Sequence, residues 1–268
     1  MRVFTAMGAA VFVRCVFAGS GGVDGSLCCP NCPPGPCGKS RTALTPLSDD
    51  NIQDAVRAWC DDPASAAKVY GDIASWDTGA VTNMTYLFGT TADGGTCATF
   101  ATFNEDVSRW NTSRVTSMYK TFYFARTFDG DVSSWDTSNV TTMRDMFRNA
   151  SSFSGDLSSW DTSRVIDIGS MFGGAASFNS DISSWNVSRV ENLHGMFHDN
   201  PLFNRDLTSW DVSRVTDMAE MFIHATSFDQ HLCWDVPRRA NTTSIFEDSA
   251  GACINETCGS ARNSSLYC

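Results

Sequence analysis

Nowhere does the chain approach the ~20 consecutive apolar residues that a membrane-spanning helix needs. Positive charge is also scarce: 19 Lys and Arg stand against 30 Asp and Glu, a net charge of −11. That balance argues against nucleic acid and anionic membrane as partners. No G-x-S-x-G, H-E-x-x-H or P-loop occurs, so nothing converges on an acid–base or nucleophile constellation, and no catalytic residue, metal or cofactor is implied. Cysteine is absent from the regular middle of the chain, where structure must come from packing alone.

What the middle holds is a repeat. Trp110, Trp135, Trp160, Trp185 and Trp210 are each 25 residues apart, and units begin at Phe103, Phe128, Phe153, Phe178 and Phe203. A unit precedes them from Val69 and is followed by a nine-residue insertion that includes Gly94, Gly95 and Cys97; a degenerate unit follows from Phe228, one residue short before Trp234. A fixed period of this length signals units that bury their apolar faces against neighbours, with eroded terminal copies.

Numbered from its Phe, the unit FDGDVSSWDTSNVTTMRDMFRNASS is apolar at positions 1, 5, 8, 13, 16, 19, 20 and 23. Positions 16, 19, 20 and 23 have the i, i+3, i+4, i+7 spacing of a helical face, with Thr141 before them as a cap. The DVSSW segment predicts a short strand. Strands stacked ~4.8 Å apart would make a rod roughly 30 Å long from six units. The repeat core is then Trp110, Trp135, Trp160, Trp185 and Trp210 with Met143, Phe147, Met171, Phe172, Met221 and Phe222.

The pattern F-x-x-D-[LIV]-S-x-W-[DN]-[TV]-S-x-V-x-x-M-x-x-M-F-x-x-A resembles the BspA-like leucine-rich-repeat surface proteins, in the 25-residue variety of mycoplasma lipoproteins and algal secreted proteins. The likeness runs from about Leu47 to Phe246. Departures include Thr121, Ile168 and Leu193 in Met positions and Asn200 for Ala. The resemblance implies an α/β repeat fold: a right-handed solenoid of leucine-rich-repeat type with about seven strand-plus-helix coils. It also implies surface display and binding rather than catalysis.

Met1 to Ala18, with Arg2, an apolar run and a small-residue end, is expected to be a signal peptide. Of eleven cysteines, cleavage after Ala18 would remove Cys15 and leave an even number. Cys28, Cys29, Cys32, Cys37, Cys60, Cys97, Cys233, Cys253, Cys258 and Cys268 then become disulfide candidates, with Cys60–Cys97 the first pairing to test. Zinc binding by CCPNCPPGPC is the rival reading, weakened by the lack of His. The expected divisions are 1–18 signal peptide, 19–46 Cys/Pro-rich spacer, 47–68 helical N-terminal cap begun at Ser48, 69–247 repeat solenoid and 248–268 Cys-containing tail.

Aspartates recur at position 4 (Asp72, Asp106, Asp131, Asp156, Asp181, Asp206) and Asp or Asn at position 9 (Asp77, Asn111, Asp136, Asp161, Asn186, Asp211). These are either calcium ladders or Asx turns, and the turn is the preferred reading. The Thr112, Thr137 and Thr162 column reads as solvated turn residues rather than an ice- or carbohydrate-binding ladder. His194 and His198, spaced i, i+4 with His224 one unit on, offer a two-His metal pair, but no Glu or Asp joins them at motif spacing and surface histidines are the preferred reading. Sequons make Asn83, Asn139, Asn149, Asn241, Asn255 and Asn263 glycosylation candidates, while Asn111 and Asn186 come with the repeat.

The functional expectation is a secreted or cell-surface protein that meets an extended glycan or extracellular protein through the rows formed by positions 2 and 3. A structural wall or matrix component is the alternative, and an enzyme ranks last. Binding predicts non-repeating residues gathered on one face.

Overall fold

Two helices form where sequence supplies a cap and an apolar face. α1, Ile52–Asp61, buries Ile52, Ala55 and Val56. It begins later than a Ser48 cap implies: Asn51 stands at its start, and the Asn51 side chain accepts a hydrogen bond from the Ser48 N–H at 2.9 Å. α2, Pro63–Tyr70, starts with Asp62 accepting from the amides of Ala64 and Ser65 and ends at Gly71, whose φ of 87° is natural to glycine. The computed structural model describes residues 44–89, 98–250 and 253–254. The expected signal peptide, nearly all of the spacer, and Cys28, Cys29, Cys32, Cys37, Cys97, Cys258, Cys268, Asn255 and Asn263 lie outside the described residues, as does the side chain of Cys253.

The α/β solenoid of about seven strand-plus-helix coils is overturned. Among the described residues α1 and α2 are the only α-helices, and the only strands are β1, His231–Leu232, and β2, Cys253–Ile254, paired parallel over two residues. Units instead meet at single parallel bridges: Asn83–Ser117, Ser117–Thr142, Thr142–Asp167, Asp167–Asn192, Asn192–Asp217 and Asp217–Asn241.

The segment expected to be helical is a run of overlapping turns. Met146 N–H bonds to the Met143 carbonyl at 3.1 Å, Arg148 to Asp145 at 3.2 Å and Ala150 to Phe147 at 3.0 Å. The amides between them leave the unit altogether: Met143 donates to Asp167, Asp145 to Gly169, Phe147 to Met171 and Asn149 to Gly173, at 2.7–3.0 Å. A helix would keep all of these bonds within itself. Positive φ at positions 18 and 22 forbids one: Asp145 (55°), Asn149 (58°), Ser170 (53°), Gly174 (70°), Gly195 (58°) and Asp199 (53°) show the pattern. A left-handed residue in third place is what a type II turn requires. The turn run still puts positions 16, 19, 20 and 23 inside, so the apolar spacing fits either conformation.

Three further turns per unit are tied by side chains. Asp131 accepts from Ser133 N–H, Asp136 from Ser138 N–H and Thr142 from Arg144 N–H. The first shapes DVSSW into a turn closed by Trp135 N–H on the Val132 carbonyl at 3.1 Å, where a strand was expected. Thr141 is not a cap; its hydroxyl donates to the Thr116 carbonyl of the preceding unit at 3.1 Å.

The core is aromatic columns. Each position-20 Phe lies 3.7–4.0 Å from the next position-1 Phe, as in Phe172 on Phe178 and Phe88 on Phe103. Position-1 rings repeat at 5.9–6.1 Å, from Phe128–Phe153 to Phe178–Phe203, wider than the ~4.8 Å of hydrogen-bonded strands. The named core Trp, Met and Phe side chains are all buried. From Trp110 onward each Trp indole N–H donates to a carbonyl one unit back, Trp160 to Val132 at 3.0 Å for example. The threonines at position 10 are buried rather than solvated: Thr137 is 1% exposed and donates to the Asp161 carbonyl of the next unit at 3.0 Å. A hydroxyl ladder open to ligand is therefore absent there.

Candidate recognition face

With the frame assigned, positions 17, 18, 21 and 22 are among those that differ between units. Successive units place there Tyr119, Lys120, Tyr123 and Phe124; Arg144, Asp145, Arg148 and Asn149; Gly169, Ser170, Gly173 and Gly174; His194, Gly195, His198 and Asp199; then Ala219, Glu220, Ile223 and His224. Contacts between neighbouring units join these into one turn face.

At its first end, Lys120 is clasped by tyrosines. Its Nζ donates to the Tyr86 hydroxyl at 2.8 Å and lies 5.0, 5.0 and 4.6 Å from the ring centres of Tyr86, Tyr119 and Tyr123. Burial pulls the ammonium pKa down, but bonds to the Tyr86 and Tyr119 hydroxyls and the Asp145 charge outweigh it, and the pKa is raised. The buried Asp145 carboxylate accepts from Arg148 at 3.2 Å and lies 3.5 Å from Arg144 and 4.0 Å from Lys120. Half-exposed guanidinium groups and tyrosine edges thus form an aromatic, cationic patch on an acidic chain.

Next comes a floor made mostly of glycine, with Ser170 beside it. Gly173, Gly174 and Gly195 line a hollow of ≈ 50 Å³ walled by Arg148 and Asn149 on one side and His198 and Asp199 on the other. A Cβ on Gly174 would sit 2.3 Å from Asn149 Oδ1. Beyond it lie histidines and carboxylates. His224 Nδ1 is 2.8 Å from Asp199 Oδ1, and that hydrogen bond raises the His224 pKa above its usual value.

The rows of positions 2 and 3, expected to be the recognition surface, are partly occupied by bonds between units. Asn104 accepts from Asp129 N–H, Asp129 from Ser154 N–H and Asn179 from Asn204 N–H. A wide, open hollow of ≈ 580 Å³ remains there, lined by Ser154, Asp156, Ser177, Asn179, Asp181 and Arg205 among others. The two aspartate ladders accept amides two residues ahead at nearly every copy, as Asp106 and Asp211 do. Cys60 and Cys233 are disulfide-bonded. Asn83 and Asn241 are exposed, Asn139 is half-buried and donates to the Ser113 carbonyl, and Asn149 lines the glycine-floored hollow.

A family model described as "Mycoplasma protein of unknown function, DUF285" matches residues 62–175 and 153–257, which together span more than half the chain. The chain belongs to this family. The matched span takes in the described turn units from α2 onward. No curated protein and no solved structure matches the chain. Among the described residues no helix is long and apolar enough to cross a membrane.

The sequence-based expectation placed recognition at positions 2 and 3 and not at positions 17, 18, 21 and 22. A usable signal was the run of glycines at Gly169, Gly173 and Gly174, which leaves Ser170 as the one side chain at these four places where the neighbouring units carry Arg and His.

Proposed function

We propose that the protein is a secreted or cell-surface interaction protein that binds an extended glycan or protein without catalysis, and that it does so through the turn face. The observation that carries this reading is the contrast within each unit: core positions repeat, while positions 17, 18, 21 and 22, whose backbone geometry is kept, present different chemistry in each unit. A wall component built on self-association calls for the opposite, uniform faces. Tyrosine and arginine side chains held by neighbours offer stacking and charge at low entropic cost. A bare glycine floor beside them lets a chain lie against backbone. Contacts spread over several units give affinity without a deep pocket.

The test is an array of extracellular proteins and glycans probed with the oxidised full chain. Hits are then re-measured with Tyr123→Ala, Arg148→Ala and Gly174→Val. Each is expected to weaken binding at least several-fold, and the class of hit separates glycan from protein. If all three bind as wild type while Arg205→Ala or Asn179→Ala abolishes binding, the ligand sits on the opposite rows and this reading fails.

A further inference from the structure

We propose that His198, Asp199 and His224 form a site for one divalent transition-metal ion of the zinc class. Their ligand atoms all lie within 4.8 Å of one another. Asp199 Oδ1 is 2.8 Å from His224 Nδ1, and Asp199 Oδ2 is 3.4 Å from His198 Nε2. Ligands placed about 2.0–2.2 Å from a tetrahedral zinc stand roughly 3.3–3.6 Å apart, so the three need only small side-chain movements to close on an ion.

The second, independent observation is what lies on the far side of each ring. The remaining nitrogen of His224 faces Asp248 Oδ2 at 3.4 Å, and that of His198 faces Glu220 Oε2 at 3.7 Å. A metal-bound imidazole characteristically donates its other N–H to a carboxylate, which fixes the tautomer and raises ligand basicity. Each histidine has a carboxylate facing that nitrogen, a small side-chain movement away from a hydrogen bond. A surface histidine that merely pairs with one acid needs only one such contact.

The frame also holds the ligands still. Asp199, His224 and Asp248 occupy the same place in three successive units, each in the left-handed conformation, with φ of 53°, 55° and 56°. The Asp199 amide donates to the Ile223 carbonyl and the His224 amide to Glu247, both at 2.9 Å. Two imidazoles and one carboxylate suit zinc, cobalt, nickel or copper rather than calcium, which takes oxygen ligands. Asp199 and His224 are exposed, so water or a donor from a bound partner can complete the coordination. In sequence the two histidines are 26 residues apart and match no metal motif, because it is the stacking that joins them.

The experiment is zinc uptake by the oxidised full chain, followed by competition with a chromophoric chelator and by cobalt substitution read from its visible absorption. One equivalent is expected. His198→Gln and His224→Gln should each weaken binding by at least about tenfold, and Glu220→Gln and Asp248→Asn by about tenfold through the outer shell. His194→Gln, which lies beside Glu220 without touching the three ligands, should leave affinity unchanged. All five positions are on the surface, and melting in chelator shows that each variant is folded. Zinc uptake that is nil, or equal in wild type and the His198→Gln/His224→Gln double variant, overturns the proposal. The readout needs no ligand for the turn face, so its failure leaves the binding reading untouched.

Discussion

Asn200 occupies a position where the other units carry Ala125, Ala150, Ala175 and Ala225, all fully buried. It is itself fully buried, and neither its side-chain nitrogen nor its oxygen has a hydrogen-bond partner. Its backbone behaves as the alanines do: the Asn200 amide donates to the Phe197 carbonyl at 3.1 Å, and Ala150 donates to Phe147 at 3.0 Å. Asn200→Ala therefore removes an unpaired amide without disturbing the turn. Leaving a buried polar group unsatisfied costs about 1–3 kcal/mol. Against this, an unrelaxed hole of roughly 30 Å³ at ~24 cal/mol per Å³ costs about 0.7 kcal/mol. The net expectation is stabilisation by about 0.5–2 kcal/mol, read as a raised urea midpoint at unchanged slope. The reciprocal change, Ala175→Asn, should destabilise by about 1–3 kcal/mol. If Asn200→Ala loses more than about 1 kcal/mol, the side chain is filling space that matters, and the inference from its unpaired atoms is refuted.

Trp160→Ala should cost ~3–5 kcal/mol in urea melts, since it deletes a buried ring and frees the Val132 carbonyl of its indole partner. Gly174→Ala places a Cβ against Asn149 at φ of 70° and should destabilise by about 1–2 kcal/mol, lowering the melting temperature while filling the hollow. The turn aspartates set an acid limit. The Ser138 hydroxyl and then its amide lower the Asp136 pKa, and Asp106, Asp131, Asp161 and Asp211 are lowered in the same way by their own Ser partners. A folded pKa below the unfolded one gives stability that is present above roughly pH 4 and lost as pH falls through the folded value. Thermal melts from pH 7 to pH 3 should show that decline. Asp136→Asn should be nearly neutral at pH 7, because Asn111 and Asn186 make the same turn.

Period, buried positions and helical lead-in were legible because each is written in side chains that recur. The conformation between them was not. Met143, Met146, Phe147 and Ala150 have helical spacing, yet inter-unit bonds from alternate amides win over an internal helix. The residues that tip the balance, at positions 18 and 22, were visible where they are Asn149, Gly174, Gly195 and Asp199, all tolerant of positive φ. They were masked where they are Tyr86, Lys120 and Phe124, which adopt it only because the neighbouring units enforce it. The strand reading of DVSSW failed for a local reason: Asp131 closes a turn on Ser133 before a strand can extend. His198 and His224 were visible among possible metal ligands but were set aside for want of an acid at motif spacing; Asp199, which completes the group, meets His224 only across the stack, and such proximity cannot be read from chain separation.

The bonds between units all run in fixed senses. Amides at positions 16, 18, 20 and 22 point forward, and the Trp indole points back. Every interface therefore offers its neighbour the same sockets, whatever occupies the four variable places. In their backbone bonding the units are cassettes: a unit gained or lost in a whole step would keep the spine and rewrite the turn face, provided the variable side chains of the new neighbours fit one another as Asn149 fits Gly174.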